Sequence, residues 1–303
     1  VTDREVVPEL AARVRAVAHS RGSACPCAAG TLADRADGVV VRHADVVGKA
    51  HAPDADRGEL ARRLGVAAGL PEVFLAPLGT TPAELGGRPV TYWPYATPVD
   101  PDDPDAAPWE AAGELLARLH RTPVVAPLPV MRGPAKAALA VARLRAAGGH
   151  ASVLGAWEAL PAWARGEAPM GGGALCHGDL HLGQLVRASG WRLIDVDDLG
   201  VGMQAWDLAR PASWFACGLL PGEEWARFLD AYRAAGGPAV PAGDPWGVLD
   251  VPARALTVQT AARMVTRAVR EGRDLDEVER AVVDACGRMA AVRVQPSGAG
   301  RSL

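Results

Sequence analysis

The segment PVDPDDPDAAP, residues 98–108, holds four Pro and four Asp among eleven residues, a composition that sustains neither a helix nor a paired strand. It cuts the chain in two, and the patterns on its two sides differ. Upstream, VPELAARVRAVA carries apolar residues at helical spacing and predicts a helix ending near Gly22. Gly38 to Arg42 and Val46 to Lys49 then read as two β segments around a tight turn, the second delivering Lys49 at its end. Arg57 to Leu64 reads as a helix stopped by Gly69-Leu70-Pro71. Arg88 to Tyr95 reads as the last strand of a small sheet, with Pro94 at an edge or just past its end.

Downstream, long helical patterns cover Trp109 to His120, Pro134 to Ala147, Ser152 to Trp163, Ala205 to Phe215, Glu223 to Ala235, Arg254 to Glu271 and Leu275 to Val294. They are interrupted only between Leu175 and Asp198, where Leu185 to Arg187 and Trp191 to Ile194 read as a short hairpin presenting Asp195. The fold class is therefore α+β, with a small β-containing N-terminal lobe over residues 1–97 and a large, mainly helical C-terminal lobe over 98–303. The PSGAGRSL tail reads as poorly ordered.

With 49% hydrophobic and 22% charged residues in 303, the chain can bury a large core without crosslinks. No apolar run is long enough to span a bilayer, and the charged first residues do not resemble a signal core. A cytoplasmic protein is expected, with no membrane partner. A formal charge of -3 offers no general attraction to nucleic acid. Cys25, Cys27, Cys176, Cys217 and Cys286 are odd in number and irregular in spacing, and Cys25-Pro26-Cys27 supplies only two ligands, so no zinc pattern is read. Oligomeric state is not legible.

The string Cys176-His177-Gly178-Asp179-Leu180-His181-Leu182-Gly183-Gln184 concentrates polar side chains between apolar flanks. Sixteen residues after Asp179, the run Leu193-Ile194-Asp195-Val196-Asp197-Asp198 places carboxylates at a strand end, where a magnesium ion and nucleotide phosphates could be held. Phosphoryl transfer divides labour in this way, one carboxylate facing the acceptor hydroxyl and others holding the cation.

HGDLHLGQ, followed by LIDVDD, by Gly200-Val201-Gly202 and by Asp207-Leu208-Ala209, resembles the aminoglycoside phosphotransferase and choline kinase-like family, which shares the two-lobed protein-kinase-like fold. The resemblance implies Asp179 as the catalytic Asp, Gln184 and Asp195 as metal ligands, and Asp207 as a structural brace. It implies Lys49 as the lysine that meets nucleotide phosphates, and Glu59 is its expected ionic partner, with Glu72 as a substitute. Tyr92-Trp93-Pro94-Tyr95 falls where the strand joining the lobes passes the base, so Trp93 and Tyr95 are expected beside the nucleotide. ATP and Mg²⁺ are the implied cofactors, with GTP left open.

Two positions depart from the family pattern. Gln184 stands where Asn is usual, and Met203 where an Asp is common, so any role of that Asp is either absent or taken by Asp197 or Asp198. No Gly-rich phosphate loop is evident; Ser20 to Ala24 and Ala28 to Thr31 are the candidate pieces. His177, His181 and His120 read as bracing histidines. The arginines at 254, 263, 267, 270 and 273 read as a solvated face that could meet an anionic substrate. The expected activity is transfer of a γ-phosphoryl group to a hydroxyl of an aminoglycoside or another antibiotic. The alternatives are a metabolic kinase for a sugar, amino alcohol or amino acid derivative, and a noncatalytic nucleotide-binding regulator.

Overall fold

The computed structural model describes residues 3–19, 25–35, 38–124 and 127–291. Ser20 to Ala24, the PSGAGRSL tail and the last residues of the expected 275–294 helix lie outside them.

Helix α1 (Asp3–Ala18) precedes strands β1 (Ala29–Arg35), β2 (Gly38–His43) and β3 (Val46–His51), helix α2 (Arg57–Gly69), and strands β4 (Ala83–Leu85) and β5 (Arg88–Pro94). The strands form one antiparallel sheet in the order β1-β2-β3-β5-β4. Strand periodicity divides its two faces. Val39, Val41, Val46 and Ala50 pack with Val6, Leu10 and Val14 of α1. Val47, Lys49 and His51 alternate to the opposite face, where Lys49 pairs in register with Thr91 and Val47 with Trp93.

Strand β1 was not among the expected strands; Ala28 to Thr31 read instead as a piece of a phosphate loop. It is an edge strand exposed along nearly its whole length, so no burial period marks it in the sequence.

A two-residue strand β6 (Thr97–Pro98) enters the downstream part, followed by α3 (Trp109–Arg121), α4 (Gly133–Ala146) and α5 (Ala151–Glu158). The polar interruption forms β7 (Ala174–Cys176), the hairpin β8 (Leu185–Arg187) and β9 (Trp191–Leu193), and β10 (Gly200–Gly202). β7 pairs with β10, and β6 joins the hairpin in the order β6-β8-β9. Helices α6 (Ala205–Ala216), α7 (Gly222–Ala234), α8 (Trp246–Glu271) and α9 (Glu277–Ala291) complete the chain. The α+β expectation holds, with the large sheet upstream and the helices downstream.

Three helix boundaries differ from expectation for local reasons. Helix α8 begins at Trp246 and carries Pro252 inside it, a residue that breaks the helical pattern when read as text. Helix α5 stops at Glu158, shortly before Pro161, and α9 starts after Asp276, whose carboxylate accepts the Glu279 N–H at 2.8 Å. The late arginines are largely engaged on the surface: Arg254 pairs with Asp250, Arg267 with Glu271, and Arg273 with Glu271 and Glu279.

One core runs from the sheet into the helical part, holding Leu64, Phe74 and Trp93 together with Leu116, Leu180, Leu193 and Leu208. The two parts are also joined through backbone, since Leu193 N–H donates to the Val73 oxygen at 2.8 Å and Leu75 N–H to the Leu193 oxygen at 2.9 Å. A second core lies among α4, α5, α8 and α9.

Helices α3 and α7 pack backbone to backbone at Gly113. A Cβ there would meet the Phe228 carbonyl oxygen and lie 2.8 Å from the Tyr232 nitrogen. Alanine is the better helix former by about 1 kcal/mol, but the neighbouring atoms are backbone and cannot turn away. Gly113→Ala is expected to lower unfolding free energy by about 1–3 kcal/mol, measured by urea titration; a variant as stable as the parent contradicts this close approach.

Candidate active site

The polar loop 177–184 is hung from a single buried carboxylate. Asp207, 1% exposed, lies in the first turn of α6, accepting the His177 N–H at 2.6 Å and the Gly178 N–H at 2.7 Å. His120, at the end of α3, places Nε2 3.0 Å from the same carboxylate and Nδ1 2.8 Å from the Tyr232 hydroxyl. The Ala239 N–H donates to that hydroxyl at 2.9 Å, so Tyr232 donates to Nδ1 and Nε2–H donates to Asp207. His177 lies with Nε2 2.9 Å from the Ile194 oxygen and stacks on Phe74. Both histidines brace.

Gly178 has φ +87, and a Cβ there would meet the Asp198 carbonyl oxygen. The glycine lets the loop pass against the 195–198 run, which brings Asp179 into the same cluster as the later carboxylates.

Asp179 is gripped from two sides. Lys136, in the first turn of α4, places Nζ 2.7 Å from Oδ2, and Arg210 of α6 donates to Oδ1 at 2.7 Å. Lys136 also reaches Asp198 Oδ2 at 2.6 Å. Burial alone would raise the Asp179 carboxyl, but Lys136 and Arg210 outweigh it and hold the group well below the usual carboxylate range. Asp198 has less compensation and burial pushes it up. Lys136 is raised, because Asp198 and Asp179 overcome the burial that would lower it.

Asp195 sits just past β9 with φ 64, a left-handed conformation costing a non-glycine residue about 1–3 kcal/mol and met mainly at functional sites. Its Oδ1 lies 2.8 Å from Lys49 Nζ, which also reaches Asp197 Oδ2 at 2.9 Å. His51 Nδ1 is 2.9 Å from Asp197 Oδ1, and its Nε2 is 2.9 Å from Thr91 Oγ1. Burial would lower Lys49, yet the two carboxylates raise it above its ordinary value; Asp197 is correspondingly held low against its burial. Gln184 places its amide nitrogen 3.4 Å from Asp195 Oδ2 and 3.3 Å from His181 Nε2.

Some expected placements differ. Lys49 does not pair with Glu59: that carboxylate lies 3.3 Å from Arg63 on its own helix, and Arg63 Nε donates to the Leu199 oxygen at 2.8 Å. One helical turn separates Glu59 from Arg63, which makes the local pair the cheaper one. Trp93 lies on the Lys49 face of the sheet but is mostly core, its indole N–H donating to Thr91 Oγ1 at 3.0 Å. The Tyr95 ring is covered by the Arg42 guanidinium, 3.3 Å from its centroid, and its N–H is taken by the Asp45 oxygen.

Lys136, Arg210 and His51 were missed. His51 follows Lys49 by two residues and so shares its strand face, and Arg210 follows Asp207 by three and so shares its helix face. Those spacings were the available signals; nothing local points Lys136 at a loop 43 residues away.

A family model described as the phosphotransferase enzyme family matches residues 31–246, a span that contains every one of these site residues. The chain belongs to the phosphotransferase enzyme family. No curated protein sequence matches it. Among solved structures it is similar to a choline/ethanolamine kinase family protein from Mesorhizobium loti, at 19% identity over 94% of each chain with a TM-score of 0.59. It is also similar to spectinomycin phosphotransferase in complex with ADP and spectinomycin, at 13% identity over 88% of this chain and 92% of that one, TM-score 0.58. The macrolide 2'-phosphotransferase of Brachybacterium faecium matches at 18% identity over 95% and 100%, TM-score 0.53. At these identities the likeness is one of fold, and it is the kinase-like phosphotransferase fold.

The carboxylate of Asp195 is a hard oxygen donor suited to magnesium, and Gln184 would join it only with its amide turned to present oxygen in place of the nitrogen that now faces Asp195. Met203, a thioether, adds nothing to it. Asp197 and Asp198, the candidates to replace an Asp at 203, pair with Lys49 and Lys136.

Two predictions follow from this geometry. Asp207→Asn replaces an acceptor oxygen by an amide N–H facing a backbone donor, and should cost about 2–4 kcal/mol, read by urea unfolding; an unaltered midpoint contradicts the brace. His181 is held down to about 4, chiefly by burial, with Asp179 opposing it and Arg210 adding to it. Its stabilising contribution is complete above its unfolded value of about 6.5 and is lost as pH falls toward the folded value. His181→Gln should flatten the fall in melting temperature across that window, whereas Asp179 and Asp197 act only below it. An unchanged pH slope contradicts this environment for His181.

Proposed function

We propose that the chain is a magnesium-dependent kinase that transfers the γ-phosphoryl group of ATP to a hydroxyl of a small neutral or anionic molecule. The observation that carries this reading is the convergence of Asp179 and Asp195 on one polar cluster. The 195–198 run links the two, with Lys49 bridging Asp195 to Asp197 and Lys136 bridging Asp179 to Asp198.

In this reading Lys49 meets the nucleotide phosphates. Asp195 would hold the metal, with Gln184 as second ligand after its amide turns oxygen-first, and the bound ion would offset phosphate charge. Asp179 stays ionised at neutral pH because Lys136 and Arg210 stabilise its charge. So weak a base does not strip the hydroxyl at the outset. It orients the hydroxyl by accepting its hydrogen bond and takes the proton late, as the loose phosphoryl transition state collapses.

The acceptor side supports a choice among alcohols. Lys136 and Arg210 match Asp179 and Asp198 charge for charge, and Arg132 Nε lies 4.0 Å from Asp198. Trp109, Leu180, Pro211 and Trp214 wall a small recess beside Arg210 and His181. Surplus carboxylates that would draw a polycation are lacking here among the described residues. A sugar-like or hydroxy-acid acceptor fits this balance better than an aminoglycoside.

Asp179→Asn should reduce transfer by about 10²–10⁴-fold while ATP affinity is kept, measured by labelled γ-phosphate transfer and by calorimetry. In the same transfer assay, a panel of hydroxyl compounds should show neutral or anionic acceptors preferred; an aminoglycoside as the best acceptor contradicts the charge argument.

A further inference from the structure

At the far end of the β sheet, away from the polar cluster, four side chains from three segments come together. His19 follows the end of α1, Cys25 and Cys27 precede β1, and His43 ends β2. One ligating atom from each lies within 4.8 Å of all the others. His19 Nε2 and His43 Nε2 are 3.1 Å apart, Cys25 Sγ is 3.1 Å from His43 Nε2, and Cys27 Sγ is 3.5 Å from His19 Nε2. The two imidazole rings stand at 87° to each other. All five cysteines are free thiols, and the cluster is half-buried, with His43 buried.

We propose that His19, Cys25, Cys27 and His43 form a structural zinc site. With Zn–N near 2.0–2.1 Å and Zn–S near 2.3 Å, a tetrahedral ion places its nitrogens about 3.3 Å apart and nitrogen from sulfur about 3.6 Å. The His19–His43 and Cys27–His19 separations lie within a few tenths of an ångström of those edges, Cys25 Sγ at 3.1 Å from His43 Nε2 is about half an ångström short of its edge, and all four atoms stay within 4.8 Å of one another. Two soft sulfurs and two imidazole nitrogens select zinc over magnesium or calcium. Binding releases the two thiol protons, and the two thiolates cancel the ion's charge, so the site needs no further counter-ion.

Hydrogen bonding alone accounts poorly for the arrangement. Thiols are weak donors, and two imidazoles facing each other through Nε2 satisfy only one pair of atoms between them. Four protein ligands leave no open position for a substrate, and the site lies at the end of the β1–β2 pairing where Ala29 meets His43, opposite the end where Arg35 pairs with Gly38. Its work is therefore to pin. It fastens the end of α1 and the entry to β1 onto β2, at an edge strand that buries little of its own. The spacing in the sequence hides the site, because the two histidines lie on either side of the Cys25-Pro26-Cys27 pair and one of them arrives through a strand pairing.

The test is metal analysis of the full-length chain, refolded with zinc and desalted. About one zinc per chain is expected in the parent and in Cys217→Ser, and less than about 0.1 in the Cys25→Ser/Cys27→Ser variant. Cobalt replacement should give the intense visible bands of a tetrahedral thiolate site. Should the double variant not fold, the parent decides alone: Cys25 and Cys27 should resist alkylation until a chelator is added, as read by peptide mass spectrometry. Zinc content that survives in the double variant, no zinc in the refolded parent, or chelator-independent alkylation of these two thiols overturns the proposal.

Discussion

Four carboxylates crowded into one partly buried cluster are the constraint on which the site depends. Asp179, Asp195, Asp197 and Asp198 could not sit there unpaired, because each isolated buried charge costs several kcal/mol. Lys49 and Lys136 each bridge two of them, and Arg210 adds a second cation to Asp179. These are the only two lysines of the chain. The bridges do more than neutralise: Lys49 joins β3 to the loop after β9, and Lys136 joins α4 to that same loop and to the loop after β7, so charge matching and the packing of these elements are one arrangement. Unequal matching then sets the protonation of each group, with Asp179 and Asp197 held low while Asp198 is pushed up.

Behind that cluster stands a rigid frame. Asp207 fixes the two backbone N–H groups that start the polar loop, His120 and Tyr232 fix Asp207, and the close approach of α3 and α7 at Gly113 fixes the distance between His120 and Tyr232. The strained backbone at Asp195 is affordable because the hairpin β8–β9 is anchored on both sides, to β6 and to the backbone of residues 73–75. The carboxylates are therefore presented from backbone that is itself held by hydrogen bonds, the arrangement that phosphoryl transfer by positioning requires.

Much of this was legible from text, and the parts that were not share a physical cause. The loop HGDLHLGQ, the LIDVDD run and the β8–β9 hairpin are local, so their residue order carries their geometry. Helices with a long apolar period were likewise readable to within a few residues at most ends. The partner of Lys49 was misassigned because Glu59 is near in sequence, whereas Asp195 and Asp197 arrive from 146 and 148 residues away. Lys136 and Arg210 carry no motif of their own; only the packing of α4 and α6 aims them at Asp179. Strand β1 has no buried face to give it a period, and the histidines of the Cys25–Cys27 cluster meet only through α1 and the β1–β2 register.

The proposed transfer requires Asp195 to serve the metal and nucleotide while Asp179 serves the acceptor. The most direct measurement is ADP binding by calorimetry, with and without magnesium, in the parent and in Asp195→Asn, a substitution that tolerates the left-handed backbone at this position. The parent should bind ADP more tightly when magnesium is present, and Asp195→Asn should lose that gain while remaining folded. A magnesium-dependent gain of equal size in both chains would contradict the assignment.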